Sequence, residues 1–99
     1  MLIALDYDGT YTADPDLWNV FIANARDRGH SIVVATMRHN ALEGDEVRSA
    51  LGELVDLIVF TERKAKKQFL RNMNIIPDIW IDDNPDWLYE DSIPSKLTF

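Results

Sequence analysis

Residues 2–10 read Leu2-Ile3-Ala4-Leu5-Asp6-Tyr7-Asp8-Gly9-Thr10. Four apolar residues, too few for a helix, give way at once to two aspartates and a glycine, the pattern of a buried strand that ends in a polar turn. Three more apolar runs follow, Ser31 to Ala35, Leu57 to Phe60 and Ile79 to Ile81, each separated from the last by a stretch of helical periodicity. Strands alternating with helices predict βαβ units and a parallel sheet, an α/β fold.

The first crossover is marked at both ends. Asp14-Pro15-Asp16 supplies a cap and an early-turn proline, Leu17, Val20, Phe21 and Ala25 share a face, and Gly29 stops the helix. In the second crossover Val47, Ala50, Leu51 and Leu54 keep the spacing of a buried stripe and leave Glu43, Asp45, Glu46 and Arg48 for solvent. The third uses Phe69, Leu70 and Met73 inside a basic stretch, and from Trp87 to Phe99 no element is predicted. With 46% apolar and 27% charged residues and no repeat or linker, residues 1–99 read as one domain.

Lysine and arginine number 10 and aspartate and glutamate 17, so the net charge is 10 − 17 = −7, which argues against duplex DNA as a dedicated partner. The absence of cysteine excludes a disulfide framework, a thiolate nucleophile and Cys-ligated zinc or iron–sulfur sites. Met1 to Asp6 lacks the basic start and long apolar stretch of a secretory signal, and no run approaches membrane-spanning length, so a cytoplasmic protein without a membrane partner is expected. An acidic surface discourages nonspecific association without fixing the oligomeric state.

In parallel α/β sheets the ligand crevice lies beyond the carboxyl ends of the strands. The residues standing there are Asp6 and Asp8 after the first strand, Thr36 after the second, Lys64, Lys66 and Lys67 after the third, and Asp82 and Asp83 after the fourth. Each type suits phosphate or metal chemistry. Attack of a carboxylate on a phosphate ester brings two anions together, and a divalent cation held by hard oxygens, Mg2+ above all, neutralises them. Asp6 with Asp83 provides such oxygens. Taken singly these residues have plainer roles, as turn formers, a helix cap or a solvated basic face; only the joint placement points to a site.

The order Asp-x-Asp-Gly-Thr, Thr, Lys, Asp-Asp resembles the four motifs of the haloacid dehalogenase (HAD) superfamily of phosphotransferases, over residues 2 to about 86. The resemblance implies a three-layer, Rossmann-like domain with four or five parallel strands in the order 3-2-1-4. It implies a magnesium-dependent phosphomonoesterase in which Asp6 is the nucleophile and forms an aspartyl phosphate. Asp8 would be the general acid and base and would add its backbone carbonyl to the metal shell. Thr36 and a lysine would hold the transferring phosphoryl group, with Gly9 and Thr10 beside it. Lys66 precedes Phe69 and Leu70 by three and four residues, which turns it toward the core near the helix start, so it is preferred over Lys64. Asp83 is the first choice for direct metal ligand, with Asp82 ligating through water or holding the lysine.

Asp8 favours phosphomonoester hydrolysis, because the superfamily's dehalogenases and phosphonate hydrolases lack an aspartate there and its ion pumps carry threonine. No insertion separates the first motif from the first helix, or the third strand from the lysines, so no cap domain is expected at either place and the cleft should be open. Open members tend to take large phosphorylated substrates, or to borrow a cap from a neighbouring subunit. Two other readings use the same residues: a receiver-like signalling domain, whose phosphorylated aspartate stands on the third strand, and a non-catalytic binding module stabilised by its metal. Around the site, Arg38 is expected to meet a substrate anion, Trp87 and Tyr89 to line the cleft, Trp18 and Trp80 to pack, and His30 and His39 to play no metal role.

Overall fold

The computed structural model describes residues 1–92. The strands are β1 (Leu2–Leu5), β2 (Ser31–Thr36), β3 (Leu57–Phe60) and β4 (Ile79–Ile81), and the helices α1 (Pro15–Asp27), α2 (Asn40–Leu51) and α3 (Lys66–Asn72). All pairings are parallel and the order is β3-β2-β1-β4, the order that the resemblance implies. β1 is central, with Leu5 opposite Val34 on one side and Ile81 on the other.

The topology follows from handedness. The steps from β1 to β2 and from β2 to β3 run in one direction, and a right-handed crossover therefore puts α1 and α2 on the same face. The return from β3 to β4 runs the other way and puts α3 on the opposite face. The core divides accordingly. Ile3, Leu5, Ile32 and Val34 pack with Ile22, Ala25, Val47 and Leu51 of α1 and α2, while Ala4, Val33, Ala35 and Val59 pack with Leu70 of α3. Alternate residues of β1 and β2 thus face different helical layers, and both faces of the sheet are covered, as parallel sheets require.

The start of α1 matches its signals: the Asp14 side chain accepts from the Leu17 N–H at 3.2 Å and Pro15 opens the helix. Gly29, at φ +89, ends the turn that follows, and the His30 N–H closes on the Ala25 carbonyl. The buried face is only partly the predicted one. Phe21 and Ala25 face the core as expected and Trp18 packs beside them, but Leu17 and Val20 are 55% and 61% exposed and Ile22 is buried instead. Two stripes one residue apart fit the same periodicity, and the one carrying Trp18 and Ile22 removes more apolar area from water.

α2 ends at Leu51, which leaves Leu54 in the following turn and partly exposed, while Val47 and Leu51 are fully buried. Met73 is likewise outside the core, because α3 stops at Asn72, Asn74 takes a left-handed φ of 62° and Ile75 packs in its place. Beyond β4, where no element was predicted, Pro85–Leu88 forms a short 3-10 turn that buries Leu88. The remainder of that stretch, 93–99, lies outside the described residues.

Candidate functional site

The chain departs from β1 toward β2 on one side and returns to β4 on the other, so the strand order reverses between β1 and β4. A crevice opens at the carboxyl end of such a point. Asp6 and Asp8 leave β1 there, and Asp82 and Asp83 leave β4 beside them. The cleft, of about 220 Å3, is lined by Asp6, Asp8, Thr36, Arg38, Lys66 and Asp83 among others. That is several times the roughly 30 Å3 of a water but below the roughly 300–1,000 Å3 of pockets that enclose a whole small molecule. It admits a phosphoryl-sized group and leaves what is attached to it outside.

Lys66 stands at the first position of α3 and is buried, with Nζ 2.7 Å from Asp6 Oδ1 and 2.6 Å from Asp82 Oδ2. The second oxygen of Asp82 accepts from the Asn84 N–H at 2.9 Å, so both its oxygens are engaged inside the protein. The Thr10 hydroxyl lies 3.0 Å from Asp6 Oδ2 and 3.2 Å from Asp83 Oδ1 and accepts from the Asp83 N–H, which ties the ends of β1 and β4 together. Burial pushes the Asp6 carboxyl up to about 7 against the opposing pull of Lys66, and its contact with Asp83 adds to the rise. The same contact holds Asp83 below the usual carboxylate range.

Oxygens of Asp6, Asp82 and Asp83 lie within 4.8 Å of one another, the group among the described residues that fits a metal ion. An all-carboxylate set suits a hard cation. Each oxygen of Asp6 and Asp82 already accepts one hydrogen bond, whereas Asp83 Oδ2 accepts none among the described residues and has the most capacity for a cation. Gly9 makes room for it: at φ +85, a Cβ there would stand 2.5 Å from Asp83 Oδ2. Gly9→Ala is expected to cost about 1–2 kcal/mol of stability and to weaken any magnesium-induced rise in Tm, read by paired melts with and without the ion.

Thr36 is buried at the end of β2. Its Oγ1 accepts from the Arg38 N–H at 3.3 Å, which leaves its own proton for an acceptor in the cleft. Lys64 does not enter the cleft; its ammonium lies on the surface 3.9 Å from Asp91. Besides Lys66, the cation that reaches the cleft after β3 is Arg63, held by both Glu43 oxygens at 3.2 Å. Consecutive left-handed residues, Glu62 at φ 53 and Arg63 at φ 69, turn the chain there, and nothing in a charged stretch announces such a turn. Gly9 and Thr10 line a neighbouring hollow and position carboxylates instead of lining the main cleft. Trp87 lines the cleft, whereas Tyr89 is exposed and stacks under Lys67.

Arg38 departs most from expectation. Its guanidinium donates to both Asp8 oxygens, at 2.9 and 2.8 Å, and to Glu46 and the Glu43 carbonyl. The hydrogen bonds it donates to Asp8 hold it more firmly charged than a free arginine.

Comparison with protein-family models, with curated proteins and with solved structures finds no match to the chain.

Proposed function

We propose that the chain is a magnesium-dependent phosphomonoesterase of the haloacid dehalogenase type, working through an aspartyl phosphate on Asp6. The observation that carries this reading is the convergence of Asp6, Thr36, Lys66 and Asp83, one from the carboxyl side of each strand, on a small open cleft at the point where strand order reverses.

Asp6 Oδ2 attacks phosphorus, the bond from phosphorus to the ester oxygen breaks, and the departing alkoxide takes its proton from Asp8. Asp8 then removes a proton from water, which attacks the same phosphorus and releases inorganic phosphate and the Asp6 carboxylate. Thr36 donates its hydroxyl proton to a phosphoryl oxygen, and the Lys66 ammonium, fixed by Asp82, keeps positive charge beside the nucleophile and the phosphoryl group. Magnesium, when held by Asp6 and Asp83, supplies the charge neutralisation that lets an anionic carboxylate approach an anionic ester. With no cap domain between the motifs, the cleft takes the phosphorylated end of its substrate, including a macromolecular one.

The receiver-like reading places the phosphorylated aspartate on the third strand, but β3 ends at Phe60 and is followed by buried Thr61, bonded to the Lys64 carbonyl. A metal-stabilised binding module predicts a metal response without turnover. Hydrolysis of 4-nitrophenyl phosphate is measured with magnesium, with chelator and in Asp6→Asn; equal rates in all three would sink the phosphatase reading. Magnesium at a hundredfold excess over its Kd is expected to add about 2.7 kcal/mol of stability, roughly 10 °C or more in Tm for a domain of this size. An unchanged Tm would count against the cation site.

A further inference from the structure

Asp8 presents a difficulty that the cleft itself does not resolve. Its side chain is 54% exposed, on the turn that follows β1, and a short exposed carboxylate exchanges among staggered rotamers of which one faces the reacting atoms. A proton donor spread over several rotamers is productive for only part of the time, and a misplacement of about 1 Å can cost on the order of a hundredfold in rate.

The two-point contact from Arg38 removes that freedom. Nε lies 2.9 Å from Asp8 Oδ2 and Nη2 lies 2.8 Å from Oδ1, a fork that matches the carboxylate plane. The fork is itself immobilised. Nη1 donates to the Glu43 carbonyl at 3.1 Å and to Glu46 Oε2 at 3.0 Å, and the guanidinium rests over the Tyr7 ring at 5.0 Å from its centroid. Four of the five N–H groups of Arg38 are thus engaged within the protein. Flanked by Asp8 and Glu46, the guanidinium offers little net attraction to a phosphoryl anion, which is the role its position in the sequence suggested.

We propose that Arg38, braced by Glu46 and the Glu43 carbonyl, is the positioning residue that holds the Asp8 carboxylate in the cleft-facing rotamer needed for proton transfer. The inference rests on the phosphomonoesterase reading of the site. Arg38 acts through Asp8 and not on the substrate.

The test compares an alkyl ester, glycerol 3-phosphate, with an aryl ester, 4-nitrophenyl phosphate, whose phenolate leaves without help. Through kcat/KM, which reports the first phosphoryl transfer, Arg38→Ala is expected to lower the rate on the alkyl ester by about 10- to 100-fold and on the aryl ester by no more than about threefold, with KM within about twofold in both. In an Asp8→Asn background the same substitution is expected to change the rate by less than about twofold, because the group being positioned is already gone. Arg38→Lys, which keeps the charge without the fork, and Glu46→Gln, which loosens the brace, carry the test should the alanine variant fold poorly. Both are expected to give smaller losses that keep the alkyl-over-aryl bias. A raised KM with unchanged kcat, full activity in Arg38→Lys, or an equal loss on both esters that persists in Asp8→Asn would overturn the proposal while leaving the phosphatase reading in place. A wild-type protein that hydrolyses neither ester removes both.

Discussion

Asp6→Asn is expected to lower magnesium-dependent phosphomonoester turnover by at least about a thousandfold and, in the same protein, to raise the Tm of the metal-free form above pH 7. The first effect is the loss of the nucleophile. The second arises from where that nucleophile is kept. Asp6 is buried, and burial raises its carboxyl from 3.8 to about 7. The folded state therefore binds this proton more tightly than the unfolded chain, folding takes up a proton between about pH 4 and pH 7, and stability falls as pH rises through that window. Above it the whole penalty is present, on the order of 4 kcal/mol for a shift of this size. An asparagine keeps the shape and an oxygen for Lys66 and carries no charge to desolvate. Lys66 loses one of its two carboxylates, so the net gain is smaller, about 2 kcal/mol, roughly 8–16 °C in Tm at this chain length. Thermal melts of both proteins in chelator from pH 4 to pH 8 check it. The curves should converge near pH 4 and separate as pH rises; a constant separation across the range would show that the Asp6 charge is not what costs stability.

This opposition between stability and chemistry explains which parts of the site could be read from the chain. Asp6 and Thr36 stand directly after apolar runs, Asp83 two residues after one and Lys66 at the start of the helix that follows one, and in a parallel sheet the end of a strand is also an address in space. Lys66 could be chosen over Lys64 because a buried stripe at Phe69 and Leu70 fixes the phase of the helix, and a two-residue step turns a side chain to the other side. α1 shows the limit of the same method. Its cap and stop were legible at Asp14 and Gly29, yet two apolar stripes one residue apart satisfy the period, and only packing against Ile3 and Leu5 selects the one with Trp18 and Ile22. Arg38 was visible as a cation near the cleft, but its orientation depends on Asp8, thirty positions away, and on Glu46 in the α2 helix that follows it. Arg63 depends on consecutive left-handed residues that carry no glycine. Long-range partners and backbone turns without turn residues leave no local trace.

The largest loss of stability is expected from Lys66→Met. Among the described residues its ammonium is the one positive charge touching both Asp6 and Asp82, and all three side chains are almost wholly shielded from solvent. Removing one member of a buried pair leaves uncompensated charge and costs about 3–5 kcal/mol. Here two carboxylates are orphaned, next to the third at Asp83. Against a total of roughly 5–15 kcal/mol, and toward the lower end for a chain this short, much of the variant should be unfolded at pH 8. The loss should be conditional. Protonation relieves the crowded carboxylates, so stability should recover as pH falls toward 5, the opposite of what a simple packing defect does; equal destabilisation at pH 5 and pH 8, read by urea melts, would rule out the electrostatic account. Adding Asp82→Asn should restore part of the loss, since it removes one of the two orphaned carboxylates. Asp82→Asn alone also separates the roles of the paired aspartates after β4. If Asp82 anchors the lysine and Asp83 holds the cation, the single variant keeps a magnesium-induced rise in Tm while Asp83→Asn loses it. The reverse pattern would exchange their roles.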